Sequence, residues 1–96
     1  MPEQPRVSFF TSHASVLLNV ERRPDATVRA LAETVGLTER QVHRVLGDLE
    51  AEGYITRERV GRQNRYTVNK RRRLRESSVP GQEVGDLLAV LGDGPG

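Results

Sequence analysis

Residues 38–54, TERQVHRVLGDLEAEGY, constrain the fold of this chain more than any other stretch. Val42, Val45, Leu46 and Leu49 recur at i, i+3, i+4 and i+7, one stripe of a 3.6-residue helix. Arg40, Arg44, Gly47 and Ala51 fall on the opposite side. Thr38 is the expected N-cap, and Gln41, three residues on, completes a capping box. Gly53 supplies the stop, ahead of the β-like Tyr54-Ile55-Thr56. The pattern predicts a helix over residues 39–53 that buries one side and turns a short, flat, cationic side to water. An ordinary amphipathic surface helix satisfies the same spacing, so the neighbouring segments must decide its use.

Upstream, residues 12–23 read as a first helix ended by Pro24. Phe10, Ala14, Leu17 and Leu18 give its stripe, with Val16 and Val20 alongside. Phe9 and Phe10 are placed either to staple the helix entry or to reach a partner subunit, the staple being the favoured reading. After the turn Pro24-Asp25-Ala26, Thr27 caps a short second helix, VRALAETVG, with Val28, Leu31, Ala32 and Val35 inward. Gly36 fits the tight turn that follows, Leu37 packs down, and Thr38 opens the third helix. Two short helices joined in this way have the proportions of a helix-turn-helix, whose second helix enters a major groove.

Downstream, residues 54–60 and 65–69 read as the arms of a β-hairpin, with Gly61-Arg62-Gln63-Asn64 as its tip. Ile55, Tyr66 and Val68 share the core side, while Arg59, Arg62 and Arg65 crowd the tip. An apolar-footed hairpin with a cationic tip, straight after a helix-turn-helix, is the wing of a winged helix. The expected fold class is therefore mainly α with a small β-hairpin (α+β): a winged helix-turn-helix with a three-helix core, a wing and a short C-terminal helix.

The expected organisation is a flexible start over residues 1–9 and a winged helix-turn-helix domain over 10–69. A basic segment and linker, KRRRLR then SSVPGQ, fill residues 70–82, and a C-terminal helix and tail occupy 83–96. In that last helix Val84, Leu87, Leu88 and Leu91 take helical spacing. So short a helix does not hold alone in water. It must dock, either on its own core or against the same helix of a second subunit.

The net charge of the 96 residues is only +2, but it is unevenly spread. From Arg57 to Arg75 nine Arg and Lys stand against one acid, Glu58, whereas from Glu76 onward there are four acids and no Arg or Lys. A concentrated local excess points to a polyanionic partner better than the total does. Lys70 is the sole lysine among fifteen basic residues, so position rather than residue type carries this argument.

Composition also excludes. With no cysteine there is no disulfide framework, thiolate metal site or thiol switch. His13 and His43 lie too far apart, without partner ligands, to form a metal motif, so neither metal nor other cofactor is expected. No apolar run is long enough for a signal peptide or a bilayer span, which makes a cytoplasmic protein the expectation. No nucleophile has a placed base and no phosphate-binding loop occurs, so an enzyme is not expected. Aromatic residues are 4% of the chain, poor material for a ligand cavity, and nothing identifies a small-molecule effector.

The run ATVRALAETVGLTERQVHRVLGDLEAEGYITRERVGRQNRYTV resembles the winged helix-turn-helix regulators of the bacterial MarR/ArsR-like type. The matching features are LAE in the second helix, GLTERQV across the turn, L-x-x-L-E-x-x-G-Y-I at the exit of the third helix, and the wing RERVGRQNRYTV. The resemblance implies a transcriptional regulator, commonly a homodimer on a two-fold operator in double-stranded DNA. The chain departs from the pattern in lacking longer dimerisation helices and the cysteines of metal-sensing ArsR relatives.

On that reading, base edges are reached from the first half of the third helix. Arg40 and Arg44 can fork onto guanine, and Gln41 can pair with adenine. His43, on the flank, can reach a base or a phosphate, and Asp48 repels phosphate. Thr27, Arg29 and Thr38 lie at helix starts, where free N–H groups favour phosphate. Arg59, Arg62, Gln63, Asn64 and Arg65 bring the wing to the backbone or minor groove. The run from Lys70 to Arg75 either touches the flanking backbone or keeps a linker soluble. The function expected is that of a sequence-specific DNA-binding transcriptional regulator. The alternatives are a winged-helix protein-interaction module and a nucleic-acid binder without sequence choice.

Overall fold

The computed structural model of the protein describes residues 11–74 and 81–92. Phe9, Phe10, Arg75, residues 77–80 of the expected linker, and the two termini lie outside the described residues. The elements run α1 (Ser12–Arg22), α2 (Val28–Val35), α3 (Glu39–Ala51), β1 (Ile55–Val60), β2 (Gln63–Val68) and α4 (Val84–Gly92).

Each of the first three helices starts on a threonine. Thr11, Thr27 and Thr38 accept from the backbone N–H of Ala14, Ala30 and Gln41. At Thr38 the cap is reciprocal: the Gln41 N–H donates to Thr38 Oγ1 at 3.1 Å, and the Thr38 N–H to Gln41 Oε1 at 2.9 Å. This satisfies two of the N–H groups that a helix start leaves without partners.

The third helix ends earlier than its sequence pattern implies. It stops at Ala51, Glu52 is the C-cap, and Gly53 takes a left-handed φ of 80°. The Tyr54 N–H reaches back to the Leu49 carbonyl at 2.9 Å and the Gly53 N–H to the Glu50 carbonyl at 3.0 Å. That pairing is a Schellman closure, which needs a residue tolerant of positive φ just past the cap. The glycine therefore lies just past the C-cap and is not the last member of the helix.

The core gathers around α1, which packs against α2, α3, β2 and α4. Val16, Leu17, Leu18 and Val20 are all buried, so this helix is enclosed on more than one side. Val42, Val45, Leu46 and Leu49 of α3 and Leu31 and Ala32 of α2 close on it, with Val28 and Val35 partly covered. Each fully buried aliphatic side chain contributes about 1.5–3 kcal/mol of gross hydrophobic stabilisation.

β1 and β2 pair antiparallel, Ile55 opposite Val68 and Val60 opposite Gln63. Ile55, Tyr66 and Val68 are buried at the foot of the hairpin. The turn is only Gly61-Arg62, shorter than the four-residue tip read from the sequence, and Gln63 and Asn64 belong to the strand. Gly61 has a φ of 63°, which fits the first central position of a hairpin turn where glycine is favoured. The Tyr66 N–H donates to the Pro24 carbonyl at 3.2 Å and fastens β2 to the α1–α2 turn.

Residues 70–74 are not a loose tether. The Leu74 N–H donates to the Gln82 carbonyl, Val84 to Arg72 and Gly85 to Lys70, at 2.7–2.8 Å. This ladder lays α4 on the body of the same chain, with Val84 and Leu88 buried and Val90 82% exposed. Of the two docking modes open to α4, the chain's own core takes Val84 and Leu88. No helix among the described residues is long and apolar enough to cross a membrane.

Candidate nucleic-acid interface

The buried stripe of α3 fixes what its other side shows. Arg40, His43, Arg44 and Gly47 are exposed, and nothing lies within 4 Å of a Cβ built on Gly47. Arg40, His43 and Arg44 form no ion pair or hydrogen bond among the described residues. Their charge and donors face outward, ready for a partner outside the chain.

The acids bordering this face are held by neighbouring elements. Asp48, expected to stand outward and repel phosphate, turns to α1 and accepts from His13 Nε2 at 2.8 Å. An ionised carboxylate only accepts, so this pair sets the proton on His13 Nε2. On the opposite flank Glu50 faces Arg57 of β1 at 3.7 Å. Both pairs are substantially exposed and contribute little to stability. Their local effect is to give each carboxylate a donor from a neighbouring element, leaving Arg40 and Arg44 to dominate the face.

Gln41 is exposed, but its Oε1 is engaged in the capping box. Reading adenine needs the amide oxygen as well as its N–H group, so such a contact has to share that oxygen with the cap or open it. Thr38 spends its hydroxyl on the same cap.

The wing tip and the start of α2 come together. Thr27, Val28, Arg62, Gln63 and Asn64, with Asp25, line a shared cleft of about 210 Å³. Thr27 Oγ1 is used by the Ala30 N–H, and Arg29 leans on Glu33 at 3.6 Å along the helix. Arg59 Nε–H donates to the Gly61 carbonyl at 3.3 Å and braces the turn. Arg65 faces Asp25, on the turn before α2, at 3.7 Å. Arg62 has no ion-pair partner among the described residues, and beside it Val60 is 53% exposed. Arg57, Arg59 and Arg65 each have a partner, so Arg62 is the wing arginine whose guanidinium no described residue engages.

The basic segment divides. Lys70 Nζ pairs with Glu21 of α1 at 2.7 Å, and Arg72 Nε–H donates to the Glu52 carbonyl at 3.0 Å. Arg71 and Arg73 are exposed. Sequence spacing gives no sign of the His13–Asp48, Arg57–Glu50 or Arg72–Glu52 contacts, because each depends on how separate elements pack rather than on a periodicity within one. Among the described residues no group of three or more His, Cys, Asp or Glu is placed to hold a metal ion.

A comparison with curated proteins found no match. Residues 11–65, more than half of the chain, match the model of the MarR family. The match runs from the N-cap of α1 through α2 and α3 into β2, covering the exposed α3 face and the wing tip. The chain belongs to the MarR family of winged helix transcriptional regulators.

Proposed function

We propose that this protein is a sequence-specific double-stranded DNA-binding transcriptional regulator, with α3 in the major groove and the wing on the backbone or minor groove. The observation that carries this reading is the outward face of α3. Arg40 and Arg44 stand there without partners among the described residues, while the acids on either flank are paired. Arginine at that site is suited to bidentate contact with guanine O6 and N7. Arg62 and the α2 start supply backbone contacts that set register without reading sequence. His43 serves as an adjustable contact at the edge of the face. A regulator of this kind works in the cytoplasm, beside the chromosome.

The working form is a homodimer on a two-fold site. The outer side of α4, where Val90 is exposed, supplies apolar surface for a second copy. Two copies present two α3 faces, and the half-sites then lie one helical turn apart or a multiple of it.

Selection of genomic fragments by the purified protein, followed by footprinting, tests this directly. A two-fold symmetric preferred site is expected. Arg44→Ala should cost about 1–3 kcal/mol of discrimination at one base pair per half-site. If about six phosphates are neutralised per dimer, log K against log salt should fall with a slope near −5. Equal binding of scrambled duplexes would show a binder without sequence choice, and a slope near zero would remove the phosphate mechanism.

A further inference from the structure

Three structural elements converge on Arg72, which lies past the residues that match the family. Its Nε–H donates to the Glu52 carbonyl at 3.0 Å, at the open end of α3. Its guanidinium sits over the Tyr54 ring, 6.0 Å from the centroid, the outer limit for a cation–π contact. Between these two residues Gly53 lets the side chain lie close: a Cβ there would stand 3.3 Å from Arg72 Nε. The Arg72 backbone in turn seats α4, since its carbonyl accepts from the Val84 N–H at 2.8 Å. Three residues back, Asn69 ties the wing root. Its N–H donates to the Tyr54 carbonyl and its Nδ2–H to the Gly53 carbonyl, both at 2.8 Å.

The joint between α3 and β1 is thus Glu52-Gly53-Tyr54, with the most permissive residue of all at its centre. The last carbonyls of a helix lack intrahelical partners and favour a cation. An arginine suits this place better than a lysine, because its planar head offers a fixed Nε–H and a stacking face together. We infer that Arg72 is a positioning residue for DNA recognition. It touches neither base nor phosphate, and it sets the angle between α3 and the wing by clamping their shared joint from the α4 side. The basic segment 70–73 therefore acts in part on the protein's own geometry.

The inference uses the DNA-binding reading for one of its two tests and is independent of it in the other. The first is amide hydrogen exchange without DNA on Arg72→Ala, Arg72→Lys and, as a neighbouring charge control, Arg71→Ala. Exchange at the Tyr54 and Asn69 amides should quicken about tenfold in both Arg72 variants, the scale of one lost charge-assisted hydrogen bond, and stay unchanged in Arg71→Ala. Unchanged exchange in Arg72→Ala overturns the inference.

The second test titrates a selected duplex over a range of salt. Both Arg72 variants should bind about tenfold more weakly, at a salt slope equal to the parent's and with the protein still fully folded by circular dichroism. Parent-like binding by Arg72→Lys, with Arg72→Ala losing about one unit of slope, would make Arg72 a phosphate contact and overturn the inference. Should the parent bind no duplex, the DNA-binding reading falls, and amide exchange alone decides whether Arg72 holds the joint.

Discussion

Arg44 on α3 and Arg72 after the wing carry the same guanidinium, and the fold uses them in opposite ways. Arg44 stands on an exposed face with no partner among the described residues, held outward by the buried Val45 and Leu46 beside it. Arg72 is engaged at once by a carbonyl at the end of α3 and by an aromatic ring. Lys70, its near neighbour, is likewise committed to Glu21. The densest run of positive charge in the sequence is thus partly internal fastening, while the sparser pair on α3 is the freer electrostatic resource. Charge density along a chain marks where cations are, and only their partners show what they are for.

The contrast depends on a rigid α3, and breaking that rigidity has the largest expected effect. Leu46→Ala removes a side chain buried to 3% exposure and should cost about 2–4 kcal/mol in urea unfolding. It should weaken the α3 face and the Arg72 clamp together, since both are mounted on the same helix. Loss of DNA affinity with no loss of stability would mean that the helix does not depend on that stripe.

Gly47→Ala sharpens the comparison by separating helix from partner. Space around Gly47 is open within the chain, so the substitution should stabilise α3 by about 1 kcal/mol through helix propensity. If duplex backbone approaches that position closely, DNA affinity should fall while thermal stability rises. A rise in both would place the DNA away from Gly47.

The smallest effect belongs to Lys70→Ala. Its pair with Glu21 is partly exposed, so the expected loss is under about 1 kcal/mol by thermal unfolding. DNA affinity and salt slope should match the parent. A lower slope would move Lys70 to the phosphate side of the comparison.

Much of the fold was legible because local chemistry and periodicity agreed. Thr27 and Thr38 announced two helix starts, the Val42 to Leu49 stripe chose the buried side of α3, and alternation put Tyr66 and Val68 inward. The helix ends two residues short of its sequence pattern because a glycine stop does not say whether the glycine lies inside the helix or past it. The wing tip is shorter than its sequence suggests because Gln63 and Asn64 are turn-like residues that here continue a strand. Less of the candidate site was legible. Outward Arg40 and Arg44 follow from the buried stripe, but the bond of Asp48 to His13 and the seat of Arg72 depend on how separate elements cross. Nor could periodicity show that Gln41, by closing the cap, engages the oxygen that a base would need.

The two-residue turn at Gly61-Arg62 has a consequence for how this ribbon can evolve. Its foot is pinned by Ile55, Tyr66 and Val68, and side chains alternate between faces along each arm. Adding one residue to each arm would swing the arginine at the apex to the reverse face, while adding two would restore its aim about 7 Å farther out. The reach of the ribbon is therefore quantised, and variants that probe more distant stretches of a duplex should differ in length by even counts per arm.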